Sequence, residues 1–150
     1  MNPSPILLVE DDLSDIDLTK RAFARAGISN ELVVAEDGQE ALERLFGGLS
    51  SGSTEPLPAL VLLDLKLPVL DGFEVLRRIR SDARTRRLPV VILTSSKEDL
   101  DVAAGYDLGV NSYIRKPVDF CQFAEAVRQL GLYWLVINES PPAAIGDGSP

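Results

Sequence analysis

Histidine is missing from all 150 residues. That excludes Ser-His-Asp triads, histidine general bases and imidazole metal ligands within the chain. Cysteine occurs once, as Cys121, so neither an internal disulfide nor a cysteine-based zinc site can form, and a reducing compartment suits the chain. Positive charge is scarce: 15 Lys+Arg stand against 23 Asp+Glu, for a formal net charge of -8. A non-specific binder of nucleic acid or of an anionic membrane needs a basic footprint, so neither partner is expected. No apolar stretch nears the roughly 18 residues of a membrane span. The run Pro5-Ile6-Leu7-Leu8-Val9 is too short for a signal peptide and leads straight into acids. A cytoplasmic location is the expectation. With nitrogen ligands absent, any metal held here is held by oxygen, which favours Mg²⁺, Mn²⁺ or Ca²⁺.

What is present has the balance of a globular domain, with 45% hydrophobic and 25% charged residues. Short apolar runs alternate with helical patterns. Ile6 to Val9 reads as a strand buried on both faces. A helix over residues 14–26 follows, stopped by Gly27, then a strand from Leu32 to Ala35. Asp37 can cap a helix reaching about Phe46. After a Gly/Ser-rich loop, residues 59–63 form the strongest strand, ending abruptly at Asp64. Asp71-Gly72 opens a helix, residues 89–93 give a fourth strand, residues 98–104 a short helix, and residues 112–114 a fifth strand. A final helix starts near Asp119. Five alternations of strand and helix call for a parallel sheet with helices on both faces.

In such sheets ligands bind beyond the carboxyl ends of the strands. Glu10-Asp11-Asp12 follow the first strand, Asp64 the third, Thr94-Ser95-Ser96 the fourth, and Lys116 comes shortly after the fifth. Each alone would pass for a turn acid, a strand-end hydroxyl or a surface lysine. Together they bring carboxylates, hydroxyls and one ammonium to one edge. Crowded carboxylates repel unless a hard cation neutralises them, so the edge suits Mg²⁺ and a transferable anionic group.

Leu8-Val9-Glu10-Asp11, Leu63-Asp64-Leu65-Lys66-Leu67-Pro68 with Asp71-Gly72, Leu93-Thr94-Ser95 and Lys116-Pro117 together resemble a response-regulator receiver domain of two-component signalling. The resemblance implies a flavodoxin-like, doubly wound, five-stranded parallel sheet in the order 2-1-3-4-5. It covers residues 5–137; residues 1–137 are expected to be the receiver and 138–150 a flexible tail. It implies Asp64 as phosphoacceptor, attacking a phosphohistidine on a partner histidine kinase. Asp11, Asp64 and the main-chain carbonyl of Lys66 would bind Mg²⁺ (or Mn²⁺), with Glu10 completing the acidic pair through water. Lys116 and Thr94 would contact phosphoryl oxygens, and Tyr113 would be the aromatic switch. Asp12, an extra acid after the pair, reads as solvated.

The ending Leu132-Tyr133-Trp134-Leu135…Asn138…Pro141-Pro142 is similar to standalone regulators paired with phytochrome-type kinases. Apolar side chains surround the last turns, so a homodimer using Tyr133, Trp134, Val136 and Ile137 is expected. Arg77, Arg78, Arg80, Arg84, Arg86 and Arg87 read as a solvated helix face and loop. Two rivals fit less well. A flavin phosphate would be repelled by three acids after the first strand, and aspartyl phosphatases resemble Asp-x-Asp where this chain has Asp64-Leu65-Lys66. Nothing beyond residue 137 reads as an output domain. The expected activity is a phosphorylation switch, not an enzyme acting on outside substrates.

Overall fold

Five parallel strands form one sheet in the order β2-β1-β3-β4-β5. They are β1 (Ile6–Val9), β2 (Leu32–Ala35), β3 (Leu60–Leu63), β4 (Val90–Thr94) and β5 (Ser112–Arg115). This computed structural model describes residues 4–47, 57–94, 109–110, 112–115 and 120–130. The expected helix at 98–104, Lys116-Pro117, residues 132–137 and the 138–150 tail lie outside the described residues.

Residues along β1, β3 and β4 are buried throughout, as befits inner strands covered on both faces. β2, on the edge, is buried only at Ala35. Alternation divides the inner strands between two cores. Leu7, Val9, Val61, Leu63, Val90 and Ile92 point to one. Ile6, Leu8, Leu60, Leu62, Val91 and Leu93 point to the other.

α1 (Leu13–Arg25) covers the second core with Ile16, Ala22 and Phe23, and α4 (Phe120–Leu130) joins it there through Ala124 and Val127. Gly27, at φ +77°, ends the first of these helices in the left-handed conformation that glycine tolerates. On the opposite face lie α2 (Gly38–Leu42) and α3 (Gly72–Ser81). A π-helical turn, Glu43–Gly47, completes α2 and buries Leu45. In α3 the buried residues Val75, Leu76 and Ile79 follow helical spacing.

Each of the first three helices starts on an aspartate whose side chain accepts a backbone N–H three residues on. Asp12 accepts from Asp15 at 3.0 Å, Asp37 from Glu40 at 2.7 Å and Asp71 from Glu74 at 3.1 Å. Asp12 is therefore a helix cap rather than a merely solvated acid. The fourth strand also runs one residue further than its apolar run, because Thr94 still pairs with Arg115.

Candidate functional site

The sheet order reverses between β1 and β3, and the site lies at that switch point. Val9 pairs with Leu63, so Glu10 and Asp64 leave adjacent strands at the same level. Backbone bonds continue one residue beyond both strands: Glu10 N donates to Ala35 O at 3.0 Å and Asp64 N to Val9 O at 3.0 Å. Both acids are consequently held by the sheet itself. Glu10 is 1% exposed and Asp64 6%, while Asp11 faces solvent. Carboxylate oxygens of Glu10, Asp11 and Asp64 all lie within 4.8 Å of one another.

Two buried carboxylates at that spacing repel by about 3 kcal/mol at an effective dielectric constant of about 20. Backbone amides offset part of this. Asp12 N donates to Glu10 Oε2 at 3.1 Å and Lys66 N to Asp64 Oδ1 at 3.0 Å. A donor set of carboxylates alone, converging on one edge, has the chemistry of a hard divalent cation site. An open cleft of about 510 Å³ adjoins it, lined by Asp11, Leu65, Lys66, Pro68, Asp71 and Phe73.

The loop after Asp64 is shaped by two close features. Leu70 N donates to Pro68 O at 2.7 Å across Val69, whose φ is +69°, the geometry of a γ-turn. Val69 is 80% exposed at the tip. Gly72 N then donates to Leu65 O at 2.9 Å. A Cβ at position 72 would meet the Asp64 carbonyl oxygen and stand 2.6 Å from Leu65 Cα, so only glycine lets α3 begin this close to Asp64. Gly38 is likewise packed on the Leu70 backbone, which braces the loop on α2. Asp71-Gly72 announces a helix start in the sequence, but the close approach shows only in three dimensions. Nothing in a β-branched residue signals the turn at Val69.

Thr94 ends β4 and is 1% exposed. Leu63 pairs with Ile92, so Thr94 lies one position beyond the level of Asp64, on the neighbouring strand. Tyr113 occupies the second position of β5, opposite Ile92. Lys116 follows Arg115, the strand's last residue, and lies outside the described residues, as do Tyr133, Trp134, Val136 and Ile137.

The arginine run divides. Arg77 and Arg78 both pair with Glu74, at 3.1 and 3.0 Å, and Arg84 pairs with Asp82 at 2.8 Å. Hydrogen bonds from Arg84 hold the Asp82 carboxyl down at about 2. Arg80 is half-buried and donates to backbone carbonyls of Arg86, Leu88 and Gly109.

The sequence matches the response regulator receiver domain over residues 6–128, most of the chain and all of the sheet. The chain belongs to the receiver family. It is thus a receiver of phosphorylation-based two-component signalling. Among similar proteins is the bacteriophytochrome response regulator RtBRR, 49% identical, with a TM-score of 0.77 over 97% of this chain and 88% of that one. A probable methanogenesis regulatory protein, FilR2 of Methanothrix harundinacea, is 43% identical over 95% of this receiver and 91% of its own length. The response regulator Rcp1 of Synechocystis sp. is 38% identical over 94% and 95% respectively. The structure of the Mn²⁺-bound form of Rcp1 matches with a TM-score of 0.74 at 36% identity, over 93% of this chain and 98% of that one. No helix among the described residues is long and apolar enough to cross a membrane.

Proposed function

We propose that this receiver is a phosphorylation switch with Asp64 as its phosphoacceptor. The observation that carries the reading is the convergence of Glu10, Asp11 and Asp64 within 4.8 Å at the sheet's switch point. Asp64 is the member that ends the central strand, with an α3 start built against its backbone. Its carboxylate oxygen attacks the phosphorus of a phosphohistidine on a partner kinase. The P–N bond breaks, its electron pair returns to the imidazole, and an acyl phosphate forms on Asp64. The absence of histidine here fits a donor supplied by another protein.

Asp11, Asp64 and the main-chain carbonyl of Lys66 would hold Mg²⁺, or Mn²⁺ in its place, with Glu10 acting through water. When bound, the cation supplies positive charge against the phosphoryl oxygens. Lys116 pairs with one of those oxygens and Thr94 donates its hydroxyl to another, so transfer relies on positioning and charge neutralisation. Tyr113 reports the change as the aromatic switch. The only chemistry is transfer to and loss from the chain's own aspartate, so no outside substrate is turned over.

The likeness to RtBRR supports a bacteriophytochrome-type histidine kinase as donor, and the single cysteine suits a reducing cytoplasm. The apolar residues Tyr133, Trp134, Val136 and Ile137 support a homodimer through the end of the last helix. Mixing the chain with an autophosphorylated kinase of this class tests the donor. Transfer of label within seconds, lost on chelation of Mg²⁺, is expected; no transfer from any such kinase would remove the assignment.

A further inference from the structure

Two pairs of strands carry the site. Glu10, Asp11 and Asp64 follow β1 and β3, whereas Thr94 ends β4 and Lys116 follows β5. Among the described residues β5 is an edge strand, with β4 as its sheet neighbour. Whatever holds β4 and β5 together therefore bears on the edge that faces Asp64.

At the opposite end of the same two strands sits Arg80, in the last turn of α3. Its Nη1 donates to the carbonyls of Arg86 at 3.0 Å and Leu88 at 2.8 Å, and its Nη2 donates to Gly109 O at 2.7 Å. Leu88 leads into β4 and Gly109 into β5. One guanidinium therefore ties the entries of both strands to the helix that begins against Asp64. Gly109 has φ +69°, where a side chain would be strained, and a Cβ there would lie 3.2 Å from Arg80 Nε. Val110, next in the chain, packs on the core. Burial pulls the Arg80 pKa downward, yet a guanidinium stays charged and its planar fork suits carbonyls on diverging sides. Arg77, Arg78 and Arg84 pair with carboxylates on their own helix or loop, and Arg80 reaches 29 residues along the chain to the segment before β5.

We propose that Arg80 is a positioning residue for the phosphoryl group: it clasps the entries of β4 and β5 together from below, and so sets the far end of β4, where Thr94 lies, against the Asp64 edge. The inference rests on Asp64 being the phosphoacceptor. It separates two affinities that a merely structural residue would not separate. Mg²⁺ depends on the β1 and β3 carboxylates, whereas a phosphoryl mimic also needs the β4 and β5 side chains.

The test is titration of the full chain, first with Mg²⁺ and then with beryllofluoride at saturating Mg²⁺. Arg80→Ala should leave Mg²⁺ affinity unchanged and weaken beryllofluoride binding by about tenfold. Arg80→Lys should recover only part of the loss, since one ammonium cannot serve Leu88 and Gly109 together. Gly109→Ala should reproduce the loss, and the double variant Arg80→Ala, Gly109→Ala should add nothing further. Should Arg80→Ala fail to fold, Arg80→Lys and Gly109→Ala carry the same comparison. Wild-type beryllofluoride affinity in these variants, or equal weakening of Mg²⁺ and beryllofluoride, would overturn the role of Arg80. A wild-type chain that binds Mg²⁺ but no beryllofluoride would overturn the Asp64 reading, and this inference with it.

Discussion

Gly72 lies directly on the main chain of Asp64, close enough that a Cβ at position 72 would press on the Asp64 carbonyl oxygen. The Gly72 amide completes the contact by donating to Leu65 O at 2.9 Å. The helix start and the acid that ends the central strand are thus one rigid unit. Where Asp64 points depends on a glycine eight residues away.

Gly72→Ala should therefore misplace the Asp64 carboxylate while the fold survives. A displacement of about 1 Å at a reacting group costs on the order of 100-fold in rate. Phosphorylation by acetyl phosphate in Mg²⁺ should fall by that order, with the far-ultraviolet circular dichroism unchanged. Wild-type labelling kinetics would contradict the packing argument.

Asp11 and Asp12 are neighbours with separable roles. Asp12→Ala removes the cap of α1 and should cost about 1 kcal/mol of stability in urea denaturation, with phosphorylation intact. Asp11→Ala leaves that cap in place. It should weaken Mg²⁺ binding by at least about tenfold, the lower bound seen for partners one shell further from a metal. If the two variants exchanged these effects, the assignment of both residues would be wrong.

Asp82 titrates far below an ordinary carboxylate, at about 2, chiefly because Arg84 hydrogen-bonds it. A depressed folded-state pKa stabilises the fold above the unfolded value of 3.8, and this contribution disappears as pH falls toward 2. Stability measured from pH 5 down to about 2 should fall less steeply for Asp82→Asn than for wild type. Parallel curves would show that the pair is too solvated to matter.

Self-association is tested by light scattering at micromolar concentration. The wild-type chain should scatter as a dimer, and Tyr133→Asp combined with Ile137→Asp should shift it to monomer. A wild-type chain that is monomeric with and without beryllofluoride would remove the dimer.

Much of the sheet was legible because its inner strands are apolar runs that stop at polar residues: Val9 before Glu10, Leu63 before Asp64, Leu93 before Thr94. Burial on both faces erases alternation, so the stop, not the period, marks the strand end. The acidic cluster followed from the same stops and the rule for parallel sheets. Asp12 was harder. Capping depends on where a helix begins, and a start at Ser14 instead of Leu13 leaves Asp12 outside the cap. Arg80 hides in a run of arginines that reads as one charged face. Its clue was spacing: it falls four residues after buried Leu76 and next to Ile79, at the border of the apolar stripe. Its carbonyl partners, up to 29 residues away at Gly109, leave no local trace.

The central claim is that Asp64 alone accepts the phosphoryl group, and intact-mass spectrometry after incubation with Mg²⁺ and acetyl phosphate tests it most directly. The wild-type chain should gain the mass of one phosphoryl group, with no gain when Mg²⁺ is chelated before the acetyl phosphate is added, and Asp64→Asn should gain none. Undiminished labelling of Asp64→Asn would contradict the account.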